Sequence, residues 1–188
     1  MSAEPHVCPW WIGYLLASPV RRLLQNPDRI LSPHVRQGMA ALDFGCAMGF
    51  FSLPLARLVG PDGRVVCVDC QQRMLDGLQR RARRANVEAV IEPRLAENGD
   101  FGLASDRDRF DFAIALAVMH EVPDQAAAFS ALHVALRPGV RLLFAEPTGH
   151  VDRRSFDAEI DLARRVGFTV AEHLQFRRCH AAALQKPT

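Results

Sequence analysis

The chain has 188 residues, of which 49% are apolar and 23% are charged, with a formal net charge of +2 at pH 7. That length corresponds to about one globular domain, and the composition argues against gross disorder. The net charge is too small to favour a nucleic-acid-binding protein. The N-terminal apolar stretch is about half as long as the roughly 20 residues that a membrane span needs. We therefore expect a soluble, cytoplasmic protein.

The five cysteines are an odd number and lack the spacing of a disulfide-rich scaffold. Cys67 and Cys70 form a Cys-x-x-Cys pair, which is typical of a redox or zinc site. Cys67, however, falls inside a predicted strand, and no second Cys/His pair follows at a zinc-site spacing. We therefore expect buried free thiols and no metal site.

Residues 1–38 precede the strand pattern and are predicted to form a helical arm. An aromatic-rich segment is followed by two short helices, the second of which is capped by Asn26 and opened by Pro27. We expect the arm to be a lid over the mouth of the domain formed by residues 39–188, and a segment that covers a sheet edge is an equal alternative. Cys8 in this arm is either a core thiol or a ligand for a soft metalloid.

From residue 40 onward, strand and helix patterns alternate along a single domain. Apolar runs joined by amphipathic segments predict a doubly wound α/β fold, a mostly parallel sheet covered by helices on both faces. The last two strands are close in sequence and should pair antiparallel. Strands are predicted at residues 40–43, 64–68, 87–92, 110–115, 140–145, 168–174 and 179–184. Helices are predicted at residues 51–59, 71–85, 125–136 and 152–166.

The loop after the first predicted strand has the composition of a nucleotide-cofactor site. The strand ends in the acid Asp43, and Gly45 and Gly49 let the backbone approach a ligand closely. A dinucleotide fingerprint needs glycine at the first, third and sixth loop positions, but Ala47 and Phe50 occupy the last two. The pattern acid-x-Gly-x-small-x-Gly resembles motif I of the class I S-adenosylmethionine (SAM) dependent methyltransferases.

Three later segments resemble the same family in the same order and spacing. Residues 109–111 resemble the start of its fourth strand, and residues 136–144 resemble the segment before its fifth strand. Residues 119–124 are similar to a segment of the small-molecule, ubiquinone-methyltransferase-like branch. The resemblance implies a Rossmann-like fold with seven strands, the last antiparallel, and SAM as the cofactor.

The resemblance also implies which residues bind the cofactor. Asp69, at the end of the second strand, would accept hydrogen bonds from the ribose hydroxyls, as a carboxylate can from any diol. Glu97 is the candidate acid for the adenine amine, and Ala115 would offer its carbonyl. The full predicted set is Asp43, Gly45, Cys46, Ala47, Gly49, Asp69, Cys70, Gln71, Ala96, Glu97 and Ala115.

Methyl transfer from a sulfonium is an in-line displacement, so the enzyme mainly aligns the acceptor and excludes water. A base assists when the acceptor carries a proton. His120 and His150 are the predicted catalytic residues, because they follow strands four and five. His120 could equally pack beneath its loop, and the alternative for His150 is an exposed loop histidine.

The predicted function is methyl transfer from SAM to a small-molecule acceptor, with no nucleic-acid or membrane partner and with a homodimer as a compatible assembly. Methylation of RNA or protein is the alternative within the enzymes. A SAM-binding domain without turnover is the alternative outside them. The arginines at residues 80–84 are expected to form a solvated helix face rather than an RNA-binding patch.

Overall fold

The computed structural model describes Pro9, residues 25–97 and residues 99–188. Its strands are β1 (Ala40–Phe44), β2 (Arg64–Asp69), β3 (Ile91–Leu95), β4 (Phe112–Leu116), β5 (Arg141–Pro147), β6 (Thr169–Phe176) and β7 (Cys179–Gln185). Its α-helices are α1 (Pro27–Leu31), α2 (Ser52–Val59), α3 (Gln72–Arg84), α4 (Gln125–Ala135) and α5 (Arg153–Arg165). A 3₁₀ turn over Met119–Glu121 follows β4.

The strands form one seven-stranded sheet in the order β3-β2-β1-β4-β5-β7-β6. β1 to β5 are parallel, and β7 runs antiparallel to both β5 and β6. The chain winds outward from β1 to β3 and then returns to add β4 on the other side of β1. The predicted doubly wound sheet with an antiparallel last strand is confirmed. Ligands of such sheets bind beyond the carboxyl ends of the strands, at the point where the order reverses.

Alternating strand residues face two separate apolar cores. Ala113 and Ala115 of β4 belong to the core under α4 and α5, whereas Phe112 and Ile114 belong to the core under α2 and α3. This alternation follows from the two-residue period of a strand. Because helices cover both faces, the central strands β1, β2, β4 and β5 are buried on both sides, as their nearly continuous apolar runs predict.

The third strand differs from its prediction. It was expected at residues 87–92 but covers Ile91–Leu95, because residues 85–90 close α3 and turn toward the sheet. Asn86 adopts a left-handed φ of 54°, and the backbone N–H of Val87 donates to the carbonyl of Ala82. β3 is an edge strand, where Pro93 is tolerated because no partner strand needs its N–H. Every other predicted strand and helix from residue 40 onward begins and ends within two residues of the observed one.

The predicted Asn26 cap is present at the start of α1. Oδ1 of Asn26 accepts the backbone N–H groups of Asp28 and Arg29 at 3.0 and 3.3 Å. Residues 1–8 and 10–24 of the predicted arm, which include Cys8 and most of its aromatic segment and first helix, lie outside the described residues. The role of the arm as a lid stays a prediction. In the part of the chain that is described, no helix has both the length and the apolar character of a membrane span.

Candidate active site

A cavity of about 430 Å³ opens at the carboxyl ends of β1, β2 and β4. Its size is within the usual range for small-molecule sites, roughly 300–1,000 Å³. Seven of the eleven residues predicted to bind a cofactor line this cavity: Gly45, Ala47, Asp69, Cys70, Gln71, Ala96 and Glu97. The fold therefore brings together residues from three separate loops of the sequence.

The loop after β1 is fixed by backbone geometry and hydrogen bonds. Gly45 has a φ of +78°, and the backbone N–H groups of Gly45 and Cys46 both donate to the carbonyl of Val68, at 2.9 and 3.0 Å. A Cβ added at Gly45 would lie 2.5 Å from Cβ of Val118, which also lines the cavity. Only glycine permits both this conformation and this close approach.

Asp69 connects this loop with the end of β2. Its Oδ2 accepts the backbone N–H of Ala47 at 2.8 Å, and its Oδ1 accepts that of Gln71 at 2.9 Å. Burial raises the pKa of Asp69, while these hydrogen bonds act against the rise. Each carboxylate oxygen can accept a further hydrogen bond. Asp69 can therefore hold the loop and still bind a donor in the cavity.

Four of the predicted cofactor-binding residues do not line the cavity. Asp43 is buried beneath the loop, where its Oδ2 accepts the hydroxyl of Ser52 at 2.5 Å. Cys46 is also buried, and a Cβ added at Gly49 would lie 2.6 Å from Cδ1 of Leu53. Ala115 is buried within β4, and Ala117 lines the cavity in its place. These four residues support the cavity from outside its wall.

The charge of the cavity wall favours a cation. The wall contains five carboxylates, and no Lys, Arg or His lies among its described residues. A pyrophosphate would be repelled by such a wall, whereas a positively charged ligand would be attracted. The five carboxylates are those of Asp69, Glu97, Asp100, Glu121 and Asp124. A sulfonium cofactor therefore fits this cavity better than a dinucleotide.

One side of the cavity has an apolar surface that the sequence analysis missed. Met74 and Phe101 line it, and Phe101 packs edge-on against Phe44 with ring centroids 5.5 Å apart. The loop that carries Phe101 is held by Arg94, whose Nη1 donates to the carbonyl of Gly102 at 2.7 Å. Gly99 and Gly102, on either side of Phe101 in the sequence, were the features from which this loop could have been predicted.

His120 and His150 lie together beyond the ends of β4 and β5. Their rings stack with centroids 5.4 Å apart and an interplanar angle of 21°. Neither ring lines the cavity, but Glu121, which does, places its Oε1 3.9 Å from Nε2 of His120. The two predicted catalytic histidines therefore share one cluster beside the cavity.

A buried glutamate that the sequence analysis did not single out as a partner holds His120. Oε2 of Glu146 forms a short hydrogen bond with Nδ1 of His120, and its Oε1 accepts the backbone N–H of Met119 at 2.7 Å. The Glu146 hydrogen bond raises the pKa of His120 above its ordinary value, and Glu121 and Glu159 act in the same direction. Glu146 is fully buried.

Glu159 on α5 is a second buried acid in this cluster. Its Oε1 accepts Nε2 of Gln125 at 3.1 Å, and its Oε2 has no hydrogen-bond partner among the described residues. Burial, followed by the nearby Glu146 carboxylate, raises the pKa of Glu159 to about 7. The cluster thus contains an acid whose pKa lies near neutral pH.

The described cysteines are free thiols, as predicted, but they are not all buried. Cys67 lies inside β2, whereas Cys70 is exposed, since it follows the carboxyl end of that strand and lines the cavity. The expectation of a buried pair was therefore wrong for Cys70. Within residues 25–97 and 99–188, no group of three or more His, Cys, Asp or Glu side chains could hold a metal ion.

The sequence of this chain is similar to those of known proteins. A family model described as a methyltransferase domain matches residues 36–177. An uncharacterized 37.1 kDa protein in transposon TN4556 of Streptomyces fradiae is 38% identical over 113 residues, which are 60% of this chain and 31% of that protein. The demethylmenaquinone methyltransferase of Staphylococcus aureus (strain JH9) is 32% identical over 119 residues, 61% of this chain and 46% of that enzyme. The chain thus spans about a third to a half of the length of these relatives.

The fold has a solved counterpart as well. The crystal structure of a SAM dependent methyltransferase from Aquifex aeolicus superposes with a TM-score of 0.83 over 96% of this chain and 100% of that one. At 18% identity this likeness shows the fold alone. With the family model covering most of the chain, the expectation from the motifs is confirmed: the chain belongs to the methyltransferase domain family, among the class I SAM-dependent methyltransferases.

Proposed function

We propose that the protein binds SAM in the cavity of about 430 Å³ and transfers the methyl group to a small-molecule acceptor. The observation that carries this proposal is the acidic wall around the loop that Asp69 fastens to β2. Such a wall suits a ligand with a positive charge, and the glycine loop suits close approach of a backbone to that ligand.

Each side of the cavity has a proposed role. Asp69 would accept the ribose hydroxyls through its remaining lone pairs, and Glu97 would accept the adenine amine. Met74 and Phe101 would cover the base, while Gly45 and Ala47 would lie along the methionine part. When bound, SAM supplies an electrophilic methyl group on a sulfonium. The apolar part of the wall would exclude water from that group.

We propose that the acceptor binds beside Ala117, which follows β4 and lines the cavity. Ala117 lines the large cavity and also a small recess of about 10 Å³ whose other walls include Phe51, Phe176 and Ile30. Its φ of +59° and the hydrogen bond from its N–H to the carbonyl of Ala145 fix this dividing residue. Gln25 also lines the recess. Gln25 and Ile30 belong to residues 1–38, so part of the predicted arm lies beside this recess.

The small-molecule acceptor is favoured by one relative and by the charge of the site. The Staphylococcus aureus relative is named a demethylmenaquinone methyltransferase. The acidic cavity wall would repel the phosphates of an RNA acceptor. We therefore place methylation of RNA or protein second, and a binding domain without turnover third.

The test measures S-adenosylhomocysteine after the purified protein is incubated with SAM and fractionated cell extract. The proposal predicts that this product accumulates with the small-molecule fraction and not with the RNA or protein fraction. Asp69→Ala should abolish it, whereas Asp62→Ala, on an exposed turn before β2, should not. Product with the RNA or protein fraction alone would contradict a small-molecule acceptor. Binding of SAM with no product in any fraction would favour the domain without turnover.

A further inference from the structure

Glu146 is arranged to fix the orientation of His120. It is the penultimate residue of β5 and is fully buried. One of its oxygens accepts the backbone N–H of Met119 at 2.7 Å and that of Val118 at 3.3 Å. The other oxygen forms the short hydrogen bond with Nδ1 of His120. The carboxylate thus holds both the backbone and the side chain of the turn after β4.

This arrangement determines which ring nitrogen is available for chemistry. A carboxylate accepts hydrogen bonds, so Nδ1 of His120 carries the proton in their contact. In the neutral ring, Nε2 is then the atom with a free lone pair. The side chain of His120 is 20% exposed, whereas that of Glu146 is 0% exposed. Only the histidine can therefore meet an acceptor molecule.

We propose that Glu146 is a positioning residue that holds His120 as the general base, and that the acceptor is a molecule whose nucleophilic atom carries a dissociable proton. This inference rests on the proposed function and specifies its substrate class. Hydroxyl, thiol and N–H acceptors satisfy it. Tertiary amines and thioethers do not, because they lose no proton on methylation.

The proton balance of the transfer follows from this geometry. The acceptor proton moves to Nε2 of His120, and the electron pair of the acceptor atom forms the bond to the methyl carbon. The carbon–sulfur bond breaks with its electron pair remaining on sulfur. His120 is left as an imidazolium beside the Glu146 carboxylate, which stabilises that charge, and the proton is later released to water.

Four titratable groups face His120 from the elements around it. Glu146 lies on β5, Glu121 on the same turn, Glu159 on α5, and His150 on the loop after β5. The three acids favour the imidazolium, and the Glu146 hydrogen bond contributes most to the raised pKa of His120. The base should therefore become active only as the pH rises through a value above 6.5.

The first readout needs no acceptor. Imidazole ¹⁵N chemical shifts of His120 are followed against pH in the wild type and in Glu146→Gln, with His120→Asn used to assign the signal. The wild type should titrate above 6.5 and carry its proton on Nδ1 when neutral, and Glu146→Gln should lower the midpoint. Glu146→Asp should retain part of the rise, and Glu172→Gln, on the exposed face of β6, should change nothing. A wild-type midpoint at or below 6.5, or one unmoved by Glu146→Gln, would overturn the positioning role.

The second readout tests the acceptor class with the small-molecule fraction that supports turnover. Acetic anhydride caps hydroxyl, thiol and N–H groups, so a treated fraction should lose S-adenosylhomocysteine formation and a mock-treated fraction should keep it. His120→Asn should lower kcat by about 100-fold or more on the plateau above the pKa of His120, where the wild-type base is unprotonated. Glu146→Gln should shift the acidic limb of the kcat profile toward lower pH together with the ¹⁵N midpoint. Undiminished turnover after capping, or in His120→Asn, would overturn the inference.

Failure of the inference is distinguishable from failure of the proposed function. If no fraction yields S-adenosylhomocysteine, the proposed function fails and the acceptor class fails with it. The ¹⁵N titration still decides whether Glu146 positions His120. If an untreated fraction yields product but capping has no effect, the proposed function stands and the inference alone is wrong.

Discussion

The backbone N–H of Ala47 donates a hydrogen bond to Oδ2 of Asp69 over 2.8 Å, although the two residues are 22 positions apart. This bond joins the loop after β1 to the end of β2, and the other oxygen of Asp69 accepts the N–H of Gln71. The same carboxylate lines the cavity. One side chain therefore shapes the site and offers it an acceptor group.

Gly45→Ala should destabilise the protein more than Gly38→Ala. Both positions have a left-handed φ near +80°, but a Cβ at Gly45 overlaps Val118, whereas a Cβ at Gly38 has nothing within 4 Å. Gly38→Ala should lower the free energy of unfolding by about 1–2 kcal/mol through backbone strain, and Gly45→Ala by roughly 1–3 kcal/mol more through overpacking. Urea unfolding measures both values. Equal losses would mean that Val118 moves aside freely.

Glu159→Gln should stabilise the protein at pH 8.5 and leave its stability nearly unchanged at pH 4. The unfolded carboxyl ionises near its ordinary pKa, whereas the folded one stays protonated to about 7. The folded state therefore binds more protons between about 4.5 and 7, and stability falls as the pH rises through that window. The gain at pH 8.5 should be on the order of 2 kcal/mol.

Urea unfolding of Glu159→Gln at the two pH values provides the measurement. Gln keeps an oxygen for Nε2 of Gln125, so the existing hydrogen bond can remain. Glu172→Gln on β6 is the exposed control and should change stability by less than about 0.5 kcal/mol. An equal effect of Glu159→Gln at pH 4 and pH 8.5 would show that the carboxyl ionises normally in the folded protein.

Asp106→Ala should destabilise the protein and loosen the loop that carries Phe101. Asp106 is fully buried and hydrogen-bonds Arg94 and Arg109. Burial alone would raise the pKa of Asp106, but the two arginines hold it below its ordinary value. This contribution to stability is therefore present above about pH 4 and is lost as the pH falls through the lowered pKa.

Removing the Asp106 carboxylate should lower the free energy of unfolding by roughly 3 kcal/mol at pH 7, because Arg94 loses a buried partner. Asp161→Ala is a matched control, since Asp161 pairs with Arg164 at 3.1 Å on an exposed face of α5. That change should be worth less than about 1 kcal/mol. Comparable losses in the two variants would show that the buried network is not a main stabilising feature.

The elements that depend on apolar patterns and local motifs could be predicted from the sequence. Alternating apolar runs located β1, β2 and β5, and the glycine spacing located the loop that Asp69 holds. β3 was misplaced because its exposed edge permits Glu92, Pro93 and Arg94, which break the apolar pattern. The pattern of a single sequence does not show which strand lies at the edge of the sheet, where polar residues and proline are tolerated.

Contacts between residues that are far apart in the sequence could not be predicted from it. Glu146 and Glu159 lie 26 and 39 positions after His120, and only the packing of β5 and α5 brings the three side chains together. Phe101 was missed for the same reason, since its place beside Phe44 depends on the Arg94 network. The histidines were identified from their position after two strands, but their surroundings were not.

The most direct test of the account is thermal unfolding with SAM, S-adenosylhomocysteine or NAD, for wild type, Asp69→Ala and Asp62→Ala. Ligand at about 100 times its dissociation constant adds roughly 2.7 kcal/mol, which is several degrees for a chain of this length. The account predicts a shift with both adenosyl ligands in the wild type and in Asp62→Ala, and its loss in Asp69→Ala. A shift with NAD alone, or an adenosyl shift that survives Asp69→Ala unchanged, would contradict it.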